Sequence, residues 1–512
     1  MTDIFTDCQE KFQDDKPAFL SLLHNHIDLD EMIPVSFRNH FYASTGRSRK
    51  YPLQAFLWAL IIQRIFSIPT DQLLLTFLAY SKPLRDFCGF TKVPDASKIT
   101  RFKQDFLDDL QLVFDNLVDI TEPVCQAIDS AKADMTIFDS SGIEAFVTEN
   151  NPKYANRIIR QLKTFAKSRA LGKSYDPYKA AYGSMPSHAS ANPEFKQLYI
   201  NSHFCYVFGI ITNGLGIIRH ISFYNKDFLA SHPEILVQKK SDSPDEDKSV
   251  HDSRLLIPTL KYLFIKHPLI NPKTFLGDAA FDAMELYKAL LSGNTFGEKR
   301  HFQKAYIPLN IRSGLKNPDY TINENGIPCC PHDATFPMKC TSKTKNGVVR
   351  YKFVCPKMNW IYDKSIRRAH RQCCCKNPCT TSRCGRMVYI YPEKDLRAYP
   401  GAIRGTEEWD NTYKIRTVVE RGIYHIKEHL CLAGRRTQNE TLHADLILTG
   451  ITQLITVVLA DKINCHKYIR SLKRSFTGLS FAITYFIISY TQVPRADALY
   501  CLLMQAIRNL FS

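Results

Sequence analysis

Four polar side chains stand at an unusual spacing in the stretch WDNTYKIRTVVERGIYHIKEHL, residues 409–430: Tyr413, Arg416, Glu420 and Lys427. On a helix turning 100° per residue they fall at about 0°, 300°, 340° and 320°, a stripe roughly 60° wide. Ile415, Val419, Ile426 and Leu430 make an apolar face roughly 100° away. The spacing predicts one helix, capped by Asp410 or Asn411 and ended before Gly434. It would pack on a core and present an acid, two cations and a phenol along one edge. That set suits one task, holding a phosphodiester beside a carboxylate-bound metal. The plainer reading is a solvated stripe on an amphipathic helix. Just beyond, Arg435 and Arg436 are further candidates to hold phosphate.

Two aspartates far upstream are candidates to join Glu420. Asp139 lies at the centre of DMTIFDSSGIEAF, residues 134–146, which reads as a strand because Thr136, Ile137 and Phe138 favour extended backbone. A carboxylate in an apolar strand is costly to bury unless it is paired or bound to a metal. The alternative is that Asp139 starts a turn. Asp134 is the weaker candidate, since it precedes the apolar run. In TFLGDAAFDAMELYKALL, residues 274–291, Phe275 and Leu276 end a strand and Asp278 follows Gly277. Asp278 then projects from a strand's C-terminal end, where α/β folds place their chemistry, and Asp282 is the expected cap of the next helix.

The order Tyr, two residues, Arg, three residues, Glu, six residues, Lys resembles the signature of the DDE transposases of bacterial insertion sequences, the YREK subgroup. Upstream, the strings DFCGF, VPDAS and ITRF resemble the N-terminal domain of the same enzymes. The likeness spans about residues 40–463. It implies an RNase H-like α/β fold, a mixed sheet with flanking helices, in which Asp139, Asp278 and Glu420 meet and bind two Mg²⁺ ions, with Mn²⁺ as a substitute. Two ions roughly 3.5 to 4 Å apart would clamp the scissile phosphate, one activating water or a DNA 3′-OH and the other stabilising the leaving oxygen. Arg416 and Lys427 would hold the flanking phosphates, and Tyr413 would hydrogen-bond or stack beside them. The implied activity is cleavage at terminal inverted repeats and strand transfer to target DNA, through a hairpin at the element end. The implied partners are double-stranded DNA and a second copy of the chain in the DNA complex. Two alternatives stay open: a metal-dependent nuclease or phosphoesterase without strand transfer, and a catalytically silent DNA-binding relative.

The elements that must position these residues follow from pattern and composition. The chain has 512 residues, 45% hydrophobic and 23% charged, with a net charge of +17. That charge favours a polyanionic partner, nucleic acid before an anionic membrane surface. The opening MTDIFTDCQEKFQDD is acidic and polar, so no secretory signal is expected. No run reaches the roughly 18 to 20 apolar residues of a membrane span, so a cytoplasmic location on DNA is expected. Helices are predicted from Tyr51 onward, with Thr70 or Asp71 and Asp95 or Ser97 as caps. They suit a helix-turn-helix type of domain over residues 1–125 or a plain helical bundle. Residues 149–200 read as a polar, basic loop. HFCYVFGIITNG and LGIIRHISFYN read as strands joined by a tight turn at Asn213-Gly214. RLLIPTLKYLFIK reads as a helix and HFQKAYIPLNIR as another strand. The catalytic domain would comprise residues 130–312 and 406–463, with 464–512 a tail of unassigned role.

From Asp278 to Glu420 the chain runs 142 residues, too long for a simple connection. A cysteine-rich, basic insertion over residues 313–405 is expected. Residues 299–390 carry 18 Lys or Arg against 4 Asp or Glu, which is fourteen of the seventeen net charges. With Tyr351, Phe353, Trp360, Tyr362 and Tyr389 interleaved, the insertion reads as a DNA-contacting module. Zn²⁺ would stiffen it. The candidate ligands are Cys375, Cys379 and Cys384 with Cys355 or Cys340, although no clean pair of CxxC knuckles exists. The competing reading is a β-rich insert with free thiols.

Overall fold

The computed structural model describes residues 18–43, 48–145, 147, 152–172, 175–183, 199–200, 203–235, 252–292, 295–297, 301–310, 320–323, 325–345, 348–382, 385–391, 396–432, 439–466 and 469–470. Eight helices come first: α1 (Ala18–His26), α2 (Leu29–Met32), α3 (Val35–Phe41), α4 (Leu53–Ile65), α5 (Asp71–Tyr80), α6 (Lys82–Cys88), α7 (Ala96–Asp105) and α8 (Leu107–Ala133). The predicted caps are in place. Thr70 accepts from the Leu73 amide at 3.1 Å and Asp95 from the Ser97 amide at 2.9 Å. Two predicted helices are each split. Ser81 caps a fresh start ahead of Pro83, and α8 begins anew after Phe106. A proline is tolerated at a helix's first turn because its missing N–H has no partner there anyway.

Next come β1 (Met135–Glu144), α9 (Pro152–Ser168), α10 (Pro177–Gly183), β2 (Tyr199–Ile200), β3 (His203–Thr212), β4 (Ile218–Phe223), α11 (Lys226–Ser231), α12 (Asp252–Lys266), β5 (Thr274–Leu276), α13 (Met284–Leu291) and β6 (Lys304–Tyr306). The sheet order is β2-β3-β1-β5-β6, with β4 also pairing β3. β3 is antiparallel to β1, β2 and β4, whereas β5 runs parallel to β1 and β6 parallel to β5. The β3–β4 connection is longer than the expected tight turn. Asn213 spans it, its Oδ1 accepting from the amides of Leu215 and Ile217, each at 3.1 Å, and the left-handed residue is Gly216 (φ +78°).

The expected loop at 149–200 is corrected where the structure describes it. Residues 152–168 form α9, with Ile158, Ile159, Leu162, Phe165 and Ala166 at helical spacing. The dense positive charge around these positions hid that periodicity. Of the basic residues there, Arg157, Arg160, Lys163, Lys167 and Arg169 are exposed.

The insertion is β-rich: β7 (Thr321–Ile322), β8 (Pro328–Cys330), β9 (Asp333–Pro337), β10 (Lys339–Lys345), β11 (Val348–Val354), β12 (Met358–Asp363), β13 (Arg368–Cys373) and β14 (Met387–Ile390). They form a β7-β8-β9 sheet, a β10-β11-β14 sheet and the β12-β13 hairpin. The chain then returns through α14 (Glu407–Tyr413), a 3₁₀ turn (Lys414–Arg416), α15 (Thr417–Tyr424) and a π turn (His425–His429), and continues to α16 (Asn439–Lys462).

Helix α16 lies at the centre of the core, packed against α8, α4, α7 and β4. The N-terminal helices, the sheet and α16 share one continuous apolar cluster. Asp445 of α16 fixes the arrangement in charge terms. It meets Arg64 of α4 and, at 2.8 Å, Lys103 of α7, and Lys103 also meets Asp71 at 2.8 Å. By length and composition Thr441–Lys462 is apolar enough to cross a membrane, contrary to the expectation from the sequence, and it is almost entirely buried inside the protein. Asp445, Thr449, Thr452, Gln453 and Thr456 interrupt its apolar run without lowering the average enough.

Candidate active site

Strand pairing brings the two aspartates together. In the parallel β1–β5 register Ile137 stands opposite Leu276. Two residues further on, Asp139 on β1 and Asp278 just past the end of β5 lie near enough for the Asp278 charge to act on Asp139. Beneath them Ile137 and Leu276 are fully buried beside Val419, Val418, Trp409 and Tyr306. The backbone at Asp278 is set by Gly277, where a Cβ would come within 2.9 Å of the Phe275 ring and 3.0 Å of the Phe281 ring. Asp278 then caps a short 3₁₀ turn, its Oδ1 accepting from the Ala280 amide at 2.8 Å.

Helix α15 lies across β1 and β3 and brings the third acid. Arg416 is the hub. One guanidinium nitrogen is 3.9 Å from Asp139 Oδ2, and another donates to Glu420 Oε1. The guanidinium carbon also sits 5.8 Å from the centroid of the Tyr413 ring. Asp139, Asp278, Glu420, Tyr413 and Arg416 are thus one electrostatic unit drawn from three distant parts of the chain.

Burial pushes the Asp139 carboxyl up to about 6. The Ser140 amide and Arg416 pull it down, and the charges of Asp278 and Asp252 push it up. Burial likewise raises the Tyr413 phenol, against the pull of Arg416. For Arg416 itself burial opposes the charge, but Tyr413, Glu420 and Asp139 outweigh it and raise its pKa. Asp252, the first residue of α12, is a fourth acid whose charge acts on Asp139, and no local spacing in the sequence tied it to the strand.

The helix expected over 409–430 is corrected in its detail. Thr406, not Asp410 or Asn411, caps its start, accepting from the Trp409 amide at 3.2 Å. The path tightens at 414–416 and widens at 425–429, so ideal 100° steps do not hold throughout. The tight turn carries Arg416 to the carboxylates. Lys427 goes elsewhere: it is half-buried, burial lowers its ammonium pKa, and Cys205 and Glu428 act on it electrostatically. Cys205 pairs with Glu144, five residues along β1 from Asp139, roughly 17 Å away at strand rise. Gly434, Arg435 and Arg436 lie outside the described residues, as do Cys384 and the chain beyond residue 470.

Two other expectations change. Asp282 caps no α-helix. It is buried and takes a two-nitrogen contact from Arg397, with Nη2 at 2.7 Å, plus the Asn310 amide at 2.7 Å and the Tyr287 hydroxyl at 3.0 Å. Asp134 pairs with Lys273 at 2.9 Å, at the opposite end of β1 from the acids.

Asp139, Asp278 and Glu420 offer only hard oxygen donors, the chemistry Mg²⁺ and Mn²⁺ favour. Among the described residues, however, no three His, Cys, Asp or Glu groups are gathered closely enough to hold a metal ion. Arg416 occupies Glu420, supplying from within the chain the positive charge that the acids require.

No curated protein matches the chain. Residues 7–105, the segment of the N-terminal helices through α7, match the family model described as a transposase domain (DUF772), and that match supports a transposase role.

Proposed function

We propose that the chain is a DDE transposase that binds terminal inverted repeats, cuts the DNA ends by metal-dependent phosphodiester hydrolysis and joins them to target DNA. What supports this reading is that Asp139 and Glu420 both approach Arg416 and that the Asp278 charge acts on Asp139. The transposase-domain match at residues 7–105 supports it independently. The strand order, with antiparallel β4, β3 and β1 followed by parallel β5 and β6, supports an RNase H-like assignment of the catalytic domain.

In this reading Asp139, Asp278 and Glu420 hold two divalent cations, which supply Lewis-acid activation of the attacking and leaving oxygens. Glu420 would join the aspartates in holding the cations, and Arg416 would pair with a DNA phosphate in fork geometry. Tyr413 stays beside Arg416 and restricts its swing. Lys427, at the far end of β3, holds a phosphate further along the duplex. Asp139 is ready to ligate above about pH 6, where it is ionised. No side chain forms a covalent bond to DNA.

One observation favours a second reading, a catalytically silent DNA-binding relative: Glu420 is already engaged by Arg416. Incubation with inverted-repeat DNA and Mg²⁺ separates the two. The proposal expects strand cleavage and joined products in the wild type and neither in Asp139→Asn, Asp278→Asn or Glu420→Gln. Repeat binding without cleavage in the wild type supports the second reading. Cleavage without joined products supports a nuclease.

A further inference from the structure

Within the insertion a cavity of about 30 Å³ is lined by Cys330, Cys355, Cys373, Cys375 and Cys379. These cysteines come from separate places: the end of β8, the residue after β11, the end of β13 and the segment after it. Cys379, Cys330 and Cys373 are close enough to Cys355 to act on it electrostatically. Two of the turns share a geometry. The Lys357 amide donates to the Cys355 sulfur, and the Cys375 amide donates to Cys373 Sγ at 3.5 Å, in each case from two residues ahead. Burial raises the Cys355 thiol pKa, and the Lys357 amide opposes that rise. Cys330 and Cys355 are also each followed by proline, which fixes the turn after the sulfur.

We propose that this cavity is a structural zinc site with Cys330, Cys355, Cys373 and Cys379 as its four ligands. Cys375 lines the cavity, but its thiol donates to the Asn377 carbonyl at 3.4 Å. This set differs from the one that sequence spacing favoured: Cys330 and Cys373 enter, and Cys340 drops out because it lies on β10 opposite Phe353. On binding, four thiols release four protons and one Zn²⁺ takes four thiolates, leaving a net charge of 2−. Lys357 and Arg386 line the same cavity and offset that charge. Arg386 further donates to the Cys379 carbonyl at 2.6 Å, holding that segment at the rim. The sulfurs ring the cavity and do not yet converge on a point. Zn–S bonds of about 2.3 Å draw the Cys373 and Cys379 segment in toward Cys330 and Cys355. The ion would then pin both feet of the β12-β13 hairpin, whose strands carry the exposed Trp360 and Tyr362. The site requires nothing of the carboxylates at Asp139, Asp278 and Glu420.

The test is elemental analysis of the full-length protein purified under reducing conditions without chelator. About one zinc per chain is expected, released by a mercurial in step with about four thiols. Replacement by Co²⁺ should give the intense sulfur-to-metal absorption of a tetrathiolate centre. Cys330→Ser, Cys355→Ser and Cys379→Ser should lower zinc to background, whereas Cys374→Ser, at an exposed thiol outside the cavity, should retain it. If any of the three cavity variants fails to fold, the wild-type cobalt spectrum still decides. Wild-type protein with reduced thiols and no zinc, a cobalt spectrum without sulfur bands, or disulfides among these cysteines would overturn the proposal.

Discussion

Strands β1 and β11 each lie between two partners, β1 between β3 and β5 and β11 between β10 and β14, yet they are held by different means. β1 is sandwiched. Ile137 and Phe138 are at most 1% exposed, and their neighbours belong to the large core around α16 or to the cluster beneath the acids. β11 packs in a smaller cluster. Among the described residues its module gathers Met338, Tyr351, Phe353, Val388, Ile390 and Tyr399 into a separate buried cluster. What the insertion lacks in apolar area it replaces with polar cross-links. Arg397 joins Asp282, and the buried Arg404 donates to the Ile307 and Arg397 carbonyls and to the Tyr287 hydroxyl. The proposed chemistry falls on the part of the molecule stabilised by packing, and the basic, aromatic surface on the part stabilised by individual bonds.

That contrast can be broken at several points. The largest effect is expected at the sheet's acids. Asp278→Asn should lower DNA strand cleavage by roughly a thousandfold or more while leaving the thermal midpoint near that of the wild type, since the residue contributes to chemistry more than to packing. Activity within tenfold of wild type would remove Asp278 from the site. Next, Arg397→Ala should cost about 3 to 5 kcal/mol, because it strands the buried Asp282 carboxylate. The loss should appear first as protease cleavage within the insertion while the sheet stays protected. Uniform unfolding of both regions would mean the two are not separately stabilised.

A smaller, pH-dependent effect is expected at Asp139. Its carboxyl is raised in the folded protein to about 6 from an ordinary 3.8, so its ionisation opposes folding. The opposition is absent below the unfolded value, where both states hold the proton. It grows between about pH 4 and 6 and is complete above pH 6. Asp139→Asn without divalent metal should therefore stabilise the fold by about 3 kcal/mol at most near pH 8, and by nothing measurable below about pH 3.5. Denaturant melts across pH check this, and a variant less stable at pH 8 would contradict it. The smallest effect is expected far from both regions. Thr70→Ala removes a helix cap and should cost about 1 kcal/mol in a urea melt, with cleavage unchanged.

How much could be read beforehand depended on the range of the interaction. Local signals were legible: the strand of Thr136, Ile137 and Phe138, the aspartate just past β5, and the caps at Thr70 and Asp95. Each depends on neighbours within a few residues. Pairings across long stretches of chain were not legible. Asp282 looked like a helix cap because its partner Arg397 lies 115 residues away. The cavity cysteines looked ill-spaced because a search for knuckles in one segment cannot see a ring built from several hairpins. The tightened turn at 414–416 is a departure from regular helix that an ideal helical wheel does not contain.

The account turns on whether Asp139, Asp278 and Glu420 share divalent metal. The most direct measurement is anomalous diffraction from crystals of the protein soaked in Mn²⁺. The predicted result is a strong peak between Asp139 and Asp278, with Glu420 swung off Arg416 to join it and oxygens at roughly 2.0 to 2.2 Å. Saturating Mn²⁺ with no peak there, and Glu420 still on Arg416, would contradict it.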